Sequence, residues 1–465
     1  MALRGAGLLI PLVWGLLAGW WTPRGPVTTT EALASIAISA AAGVLAGRLT
    51  RSRWAMLLAP VLFSAAVEIV RIGYVGPTVD HPHFSALGVL ALLVGRGVHG
   101  LLALLPMLVG AAYGAGWARR RAGRSSGWFR RGVVGLLAAV VLLIAVAVAI
   151  PARTPAIAGG VAELTTVDGM GVLIRGARPE APVLLFLAAS PGGSDMGVVR
   201  KHLAALEQHF IVAVVDRRGG GNSYGALDPT ATLTLADEVS NTLTMTDFLR
   251  ARFHRDKIYL LGHSGSSLPA VLAVQAHPEF YYAYVGAGQG VDLTASDRSQ
   301  YADTVAWARA NGKDALVKQL TKLGPPPYDT IYDYEPLLLS EGSAFAYPGG
   351  IASGEGQTAN FSIDEHSLLD KVHVYSGFLD CYGLLYPRER DVDLRTRVTR
   401  LAVPVYFVEG AHDVPGRLSV MNEWFAALQA PHKELVTFPD AGHLSLYEDP
   451  ERFVAVLVRV REETA

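Results

Sequence analysis

The sequence predicts an all-α, membrane-spanning region of about five helices, followed by an α/β domain with a mostly parallel sheet. Three observations predict this class. The 465 residues are 51% hydrophobic and 17% charged, whereas soluble domains typically carry roughly 25% charged residues. Apolar runs with arginine-rich gaps fill residues 1–153. Residues 154–465 instead alternate short apolar runs with helical patterns, which is typical of parallel sheets.

The charge divides at the same point as the hydropathy. Residues 1–153 contain 14 arginines, no lysine and three acids, which gives a net charge of +11. Residues 154–465 contain 26 basic and 38 acidic residues, which gives −12. Because the arginines lie between apolar runs and the larger part is acidic, we expect no nucleic-acid partner. The single cysteine, Cys381, excludes an intrachain disulfide and a cysteine-based zinc cluster, and we predict no metal or cofactor.

Five apolar runs are the predicted spans, and they cover residues 6–21, 32–47, 54–70, 98–117 and 132–150. The last run is uncharged, and as a helix it would be about 28 Å long against a hydrocarbon core of about 30 Å. A further apolar stretch, 85–94, is separated from the fourth run by Arg96 and is interpreted as an interfacial or re-entrant segment. A cleaved signal peptide is disfavoured for the first run, because no small-x-small site follows Trp21.

Arginine placement predicts the orientation of the spans. Three arginines lie between the second and third runs, and six lie between the fourth and fifth, namely Arg119, Arg120, Arg121, Arg124, Arg130 and Arg131. Both loops should be cytoplasmic by the positive-inside rule. The sequence therefore predicts an integral protein of the cell membrane with a cytoplasmic amino terminus. Everything after residue 150 is predicted to be extracytoplasmic.

The α/β part is predicted as one domain, residues 154–465, with an insertion. Apolar runs that predict strands cover residues 183–189, 210–215, 258–261, 281–285, 405–408 and 435–438. Residues 292–397 break this rhythm, since they are helical in pattern and rich in tyrosine and proline. We expect this segment to form a cap over the functional side chains, which gather at the carboxyl ends of parallel strands.

A serine follows one predicted strand on a tight turn. Ser264 stands in the run G-H-S-G-S at residues 262–266, directly after a strand and before a helix. Such a turn exposes the serine Oγ above the positive end of a helix. The simpler alternative is an ordinary helix N-cap, for which Ser264 or Ser266 would serve. The strand–turn–helix context favours a nucleophile.

A base and an acid follow later strands in the expected order. Asp413 comes after the strand at 405–408, and His443 after the strand at 435–438. The order Ser, Asp, His is the one this architecture uses. The predicted oxyanion donors are the backbone N–H groups of Gly265 and of Ala189. The neighbouring histidines 263 and 412 are interpreted as structural.

These motifs carry a family resemblance over about residues 170–460. The chain resembles the α/β-hydrolase superfamily, and within it the proline iminopeptidase-like branch, peptidase family S33. Residues 216–223, D-R-R-G-G-G-N-S, are similar to that branch's D-Q-R-G-x-G-x-S, with Arg217 in place of glutamine. Residues 188–192, A-A-S-P-G, replace its H-G-G-P-G, while F-P-D-A-G-H at 438–443 matches the superfamily.

The resemblance implies an α/β-hydrolase fold with a helical cap and a Ser264–Asp413–His443 triad. In iminopeptidases, cap carboxylates bind the free amino group of the substrate, and the candidates here are Asp333, Glu335 and Glu341. We carry Glu335 forward, together with Gln289 after a strand, as predicted substrate-binding residues. A packing or capping role for Gln289 and a solvated position for each acid are the alternatives.

The predicted function is that of a membrane-anchored serine hydrolase that cleaves an amide bond of a short peptide or aminoacyl substrate. One alternative is a carboxylesterase or lipase that acts on a small ester or lipid. An alternative of another class is a non-catalytic membrane receptor or partner protein that keeps the fold, and a further one gives the spans a transport or signalling role. The expected partners are a small-molecule or short-peptide substrate and the lipid bilayer.

Overall fold

The computed structural model of the protein describes residues 2–123, 127–351 and 354–464. It divides into two compact units. The first consists of Met1–Pro151 with Ser367–Val372, and the second of Ala152–His366 with His373–Ala465.

The first unit is helical. Its helices are α1 (Ala2–Trp21), α2 (Thr29–Thr50), α3 (Ala55–Val70), α4 (Ala86–Leu92), α5 (Val98–Arg121) and α6 (Trp128–Ala149). Within the described residues, three helical segments are long and apolar enough to cross a membrane: Thr29–Thr50, Ala86–Arg121 and Trp128–Ala149. The sequence predicted five spans. The first and third runs form helices whose apolar parts have only 16 residues, or about 24 Å. Arg124, one of the arginines used to predict orientation, lies outside the described residues.

One expectation for this unit is corrected. The stretch 85–94 is not a separate segment, because α4 continues through a π-helical turn, Leu93–Gly97, into α5. The wide turn contains Arg96, whose Nε and Nη2 donate to the two Glu68 oxygens at 3.0 and 2.9 Å. Glu68 also accepts from Arg71 at 2.9 Å, the ion pair that their spacing on one helix predicts. Arg96 therefore interrupts the apolar pattern without ending the helix.

Helices α2 and α5 pack closely through glycine. A Cβ on Gly43 would lie 2.1 Å from the Met107 carbonyl oxygen, and one on Gly110 would lie 2.2 Å from that of Ala40. Gly47 and Gly114, each four residues further on, meet the opposite backbone in the same way. Small residues four apart let two helix backbones approach closely, as in many membrane helix pairs.

The second unit is built on one sheet, eight-stranded within the described residues, in the order β1-β2-β4-β3-β5-β6-β7-β8. Two pairings are antiparallel, β1 with β2 and β2 with β4. All the other neighbouring strands are parallel. The strands are β1 (Val161–Val167), β2 (Met170–Gly176), β3 (Val183–Ser190), β4 (Ile211–Val215), β5 (Ile258–Ser264), β6 (Tyr281–Ala287), β7 (Val405–Gly410) and β8 (Lys433–Phe438). The six predicted strands match β3 to β8, and β1 and β2 are additional.

Helices cover both faces of the sheet and fill the predicted insertion. After residue 152 they are α7 (Met196–His202), α8 (Leu235–Phe253), α9 (Ser267–Ala276), α10 (Leu293–Ala310), α11 (Asp314–Leu323), α12 (Ile331–Ala344), α13 (Glu355–Thr358), α14 (Leu368–Leu384), α15 (Tyr386–Glu389), α16 (Leu394–Arg397), α17 (Pro415–Ala427), α18 (Ser445–Glu448) and α19 (Pro450–Thr464). Helices α10 to α16 lie in the chain between the adjacent parallel strands β6 and β7.

The alternating sides of the strands form two hydrophobic cores. In β3, Leu185 faces the core shared with Leu249 of α8 and Trp424 of α17. Phe186, the next residue, faces the core shared with Phe453 of α19. Because both faces are buried, these strands appear in the sequence as continuous apolar runs.

Candidate active site

Ser264 ends β5 in a strained backbone conformation. Its φ is +53°, a left-handed value that costs free energy for a residue with a side chain. The turn is crowded, because a Cβ on Gly262 would lie 2.7 Å from the Cα of Ser267. The buried Ser266 occupies the place of the usual glycine, and its Oγ lies 2.9 Å from the Leu187 carbonyl oxygen and 2.8 Å from that of His263. These contacts fix the turn that presents the Ser264 Oγ.

The structure brings Ser264, His443 and Asp413 into one hydrogen-bonded chain. Ser264 Oγ lies 2.8 Å from His443 Nε2, and His443 Nδ1 lies 2.7 Å from Asp413 Oδ2. The Asp413 side chain is 1% exposed and that of His443 is 24% exposed. The acid is therefore sealed from water, while the imidazole and serine border an accessible space.

Asp413 is held in its ionised form by its surroundings. Burial alone would raise the pKa of its carboxyl, but the charges of His443 and Arg417, and hydrogen bonds from His443 and the Val414 N–H, hold that pKa well below its ordinary value. Its other oxygen, Oδ1, accepts from the Val414 N–H at 2.6 Å and from Arg417 at 3.2 Å. Oδ2 remains for the imidazole.

Arg417 links Asp413 to the insertion. Its Nη1 and Nη2 donate to the two oxygens of Glu341 in α12, at 2.9 and 3.0 Å. Gln300 of α10 also donates to Glu341, at 2.8 Å. Burial would raise the pKa of Glu341, but the Arg417 charge lowers it below the ordinary value. Sequence reasoning did not identify Arg417, although an opposite charge four residues after Asp413 at the start of a helix is a usable signal.

A second acid of the insertion stands among tyrosines. Asp297 of α10 accepts a hydrogen bond from Tyr386 at 2.8 Å, and Tyr334 adds another. Burial raises its pKa to about 6, against the effect of these hydrogen bonds and of the Arg417 charge. Tyr382 stacks on Tyr386 with ring centroids 4.6 Å apart. An acid in an aromatic enclosure is a suitable site for a cationic group.

The predicted oxyanion donor Ala189 is corrected. Its N–H donates to Asp195 Oδ2 at 2.8 Å, and the same oxygen lies 2.8 Å from His263 Nδ1. The Ala189 N–H is therefore directed at a buried carboxylate inside the protein. The next residue, Ser190, is the one whose backbone lies in register with Ser264. Gly265, the other predicted donor, follows Ser264 and precedes α9.

The two predicted substrate-binding residues are both buried. Gln289 follows β6; its Oε1 accepts from Tyr284 at 2.7 Å, and its Nε2 donates to Ser267 Oγ at 3.0 Å. These contacts brace the turn next to Ser264, which matches the packing alternative. Glu335 lies buried in α12, six residues before Glu341.

The loop that carries His443 is fixed by Glu448. The Glu448 carboxylate accepts from the Gly442 N–H at 2.7 Å and also from the hydroxyl of Tyr347 in the insertion. Tyr347 in turn stacks on His412, with centroids 4.7 Å apart. His263 and His412 thus have packing and hydrogen-bonding partners within the protein.

Comparison with known proteins assigns the second unit to a family. The model of the alpha/beta hydrolase family matches residues 184–456, more than half of the chain.

The chain belongs to the alpha/beta hydrolase family.

It is 27% identical over 297 residues to the "Probable aminopeptidase YbaC" of Bacillus subtilis, which covers 62% of this chain and 91% of that protein. Similar solved structures include a proline iminopeptidase-related protein of Thermus thermophilus, with 17% identity, a TM-score of 0.47, and coverage of 66% of this chain and 98% of that one. Esterase RhEst1 of Rhodococcus sp. ECU1013 is also similar, with 17% identity, a TM-score of 0.42, and coverage of 66% and 100%.

Proposed function

We propose that this hydrolase is a membrane-anchored serine hydrolase that cleaves an amide bond next to a free amino group, in a short peptide or aminoacyl substrate. The observation that carries the proposal is the continuous hydrogen-bond chain from Ser264 through His443 to Asp413. A serine on a strained turn, a partly accessible imidazole and a sealed carboxylate have the roles of nucleophile, base and orienting acid.

The reaction proceeds in two halves. Ser264 Oγ attacks the acyl carbon while its proton passes to His443 Nε2, and the imidazolium then protonates the leaving amine. Asp413 orients the imidazole and stabilises its charge. A water molecule, deprotonated by His443, releases the acyl group from Ser264. The proposed oxyanion donors are the N–H groups of Gly265 and of Ser190, because the Ala189 N–H is used by Asp195.

The amino group of the substrate is assigned to the acids of the insertion. Asp297 and Glu341 both interact electrostatically with Arg417, beside Asp413, and the tyrosines around Asp297 provide aromatic faces for a cation. The similarity to an aminopeptidase supports this choice. Asp297 and Glu341 replace Glu335 as our first candidates, and Gln289 becomes a residue that positions the serine turn.

Fluorophosphonate labelling of the full chain in detergent tests the nucleophile. We expect labelling of wild type and none of Ser264→Ala, with Ser340→Ala as a control for the loss of a serine elsewhere in the domain. Labelling that persists in Ser264→Ala, or a folded wild type that is not labelled, would overturn the proposal.

Substrate class is tested with aminoacyl anilides, their N-acetylated forms and p-nitrophenyl esters. We expect the free-amine anilides to be cleaved, and Asp297→Asn to raise their KM about tenfold while ester hydrolysis changes little. Equal cleavage of acetylated and free anilides would reject the amine site and leave the esterase alternative.

A further inference from the structure

The helices of the first unit enclose a cavity that the hydrolase reaction does not use. It has a volume of about 600 Å³ and lies between α6 on one side and α2 with α5 on the other. Its walls are apolar or small along most of their length, and they include Ala40, Val44, Val109, Val134 and Val141. Within the described part of α6 the single buried residue is Val148, near the far end. Over its first two thirds, α6 therefore stands away from its neighbours.

One end of this cavity is strongly cationic. Arg120 at the end of α5 and Arg130 and Arg131 at the start of α6 line it. Arg130 Nη1 is buried and has no hydrogen-bond partner among the described residues, while its Nη2 lies 3.7 Å from the Met56 sulfur. Leaving a buried charged donor unpaired is costly. Within the described residues, this shielded nitrogen of the half-buried Arg130 is left without an acceptor.

The acids of residues 1–153 do not supply this acceptor. Glu31 is used at the opposite end of α2, where it caps the helix. Glu68 is paired with Arg71 and Arg96, and Asp80 accepts from the Gly76 N–H. None of the residues that line the cavity is acidic. An anion from outside the chain would supply the partner that the described residues do not.

We propose that the cavity binds one anionic phospholipid, with an acyl chain between α6 and the α2–α5 pair and its phosphate at Arg120, Arg130 and Arg131. An elongated apolar cleft that ends in arginines matches a molecule with a hydrocarbon tail and an anionic head. Basic pockets between membrane helices on the cytoplasmic side bind such headgroups, and this is the side to which the arginines assign this end. The inference rests on the membrane insertion of the proposed function, and not on the chemistry at Ser264.

Two glycines allow a test that leaves the arginines in place. A Cβ on Gly135, which lines the cavity, would meet no atom within 4 Å, and the same holds for Gly132 on the same helix, which does not line it. Gly135→Leu places a large side chain in the cavity from a Cβ position that meets no other atom, and Gly132→Leu is the matched control. Both changes favour the helix to the same degree.

The measurement is native mass spectrometry of the full chain in detergent, titrated with phosphatidylglycerol or phosphatidylcholine. We expect wild type and Gly132→Leu to bind one phosphatidylglycerol at least about tenfold more tightly than phosphatidylcholine. Gly135→Leu should lose this binding about tenfold. Arg130→Gln should remove the preference between the two lipids; it leaves three consecutive arginines, 119 to 121, to preserve orientation.

Two results would overturn the proposal. Equal binding of both lipids by wild type would mean that the cavity does not select an anion, and equal loss in Gly132→Leu and Gly135→Leu would place the lipid elsewhere. Membrane insertion is checked separately by resistance to carbonate extraction, and the serine chemistry by fluorophosphonate labelling. Failure of lipid binding is thereby distinguished from failure of the proposed function.

Discussion

Arg417 gives Asp413 a further side-chain partner besides His443, and the same guanidinium binds an acid of the insertion. Its guanidinium contacts Asp413 at 3.2 Å and both oxygens of Glu341 at about 3 Å. The hydrogen bond that Arg417 gives to Asp413 Oδ1 keeps Oδ2 directed at the imidazole. Arg417 is a positioning residue under the proposed mechanism, because it acts through Asp413.

The corresponding prediction concerns the turnover of anilides and esters. Arg417→Gln should lower kcat about tenfold for both, because Asp413 loses the hydrogen bond that keeps its Oδ2 directed at His443. Arg417→Lys should restore most of this activity. Arg395→Gln is the matched control, since Arg395 is paired with Asp292, Asp393 and Glu423. A purely structural role would lower the melting temperature of Arg417→Gln together with its activity, and Arg417→Lys would not restore turnover.

At the scale of single residues, the sequence predicted Ser264, Asp413 and His443 as the triad because each stands at or shortly after the end of a strand, and the structure joins the three side chains by hydrogen bonds. The sequence did not locate their supports. The contact of Asp195 with Ala189 crosses a six-residue loop, and that of Glu341 with Arg417 joins residues 76 positions apart. A periodic pattern of apolar residues predicts helices and strands, but it does not predict contacts between side chains on separate elements. The prediction that the Ala189 N–H is an oxyanion donor was wrong. Whether that N–H or the next one is available depends on the position of the Asp195 carboxylate, to which Ala189 donates.

Among the elements, a buried charge cluster joins the loop after β4 to two helices. Arg217, where the resembling family has glutamine, is 5% exposed; its Nε donates to Glu238 of α8, and its Nη2 lies 3.7 Å from Glu389 of α15. Burial raises the pKa of Glu389 to about 7, although the Arg217 charge opposes this. One arginine thus faces two buried carboxyls, of which the second ionises only near neutral pH.

This cluster makes stability depend on pH in a definite direction. An acid whose pKa is higher in the folded protein than in the unfolded chain stabilises the fold at low pH, and that contribution is lost as the pH rises towards 7. The Glu389→Gln variant has no carboxyl at this position, so its stability lacks this dependence on pH. The melting temperature of the variant relative to wild type should therefore be about 5 °C higher at pH 8 than at pH 5.5. An equal difference in melting temperature between variant and wild type at pH 5.5 and at pH 8 would show that Glu389 does not titrate in this range.

The elements themselves were only partly predictable. The buried parallel strands were found because they are continuous apolar runs, but the hairpin β1–β2 was missed. Its strands are less regular in pattern, and β1 is half exposed. A signal was present in the turn, since Asp168 and Gly169 both have positive φ, and an Asp-Gly pair is typical of a two-residue hairpin. The break at Arg96 was misinterpreted because a π-helical turn has no distinctive sequence pattern.

For the whole molecule, the prediction is one of sidedness. We expect the hydrolase unit to lie outside the cytoplasm, because the arginine-rich loops between the spans are predicted to be cytoplasmic. In a Cys381→Ala background, a membrane-impermeant maleimide should label Lys313→Cys in intact cells, and Ala122→Cys only after permeabilisation. Both parent residues are exposed. The reverse pattern would place the hydrolase unit in the cytoplasm.

Composition predicts membrane spans in residues 1–153 but does not fix their number. Of the five predicted spans, three lie in helical segments long enough to cross a membrane, and two lie in helices with shorter apolar parts. Hydropathy shows that a run favours an apolar environment, but it does not determine how long the helix is. The pairing of α2 with α5 depends on glycines 43, 47, 110 and 114. Their four-residue spacing was readable in the sequence, although the partner helix was not.

The position of the insertion has a consequence for how this protein can acquire new specificity. Strands β6 and β7 are adjacent and parallel, so the insertion at residues 292–397 lies within a single crossover connection of the sheet. A segment so placed can be exchanged for another as a cassette, while the strands that carry Ser264, Asp413 and His443 stay unchanged. Two attachments beside the triad constrain a donor segment: an acid for Arg417, as Glu341 is, and a hydroxyl for Glu448, as in Tyr347. Under the proposed mechanism, the recognised molecule can therefore change while the triad stays the same, as long as these two attachments are kept.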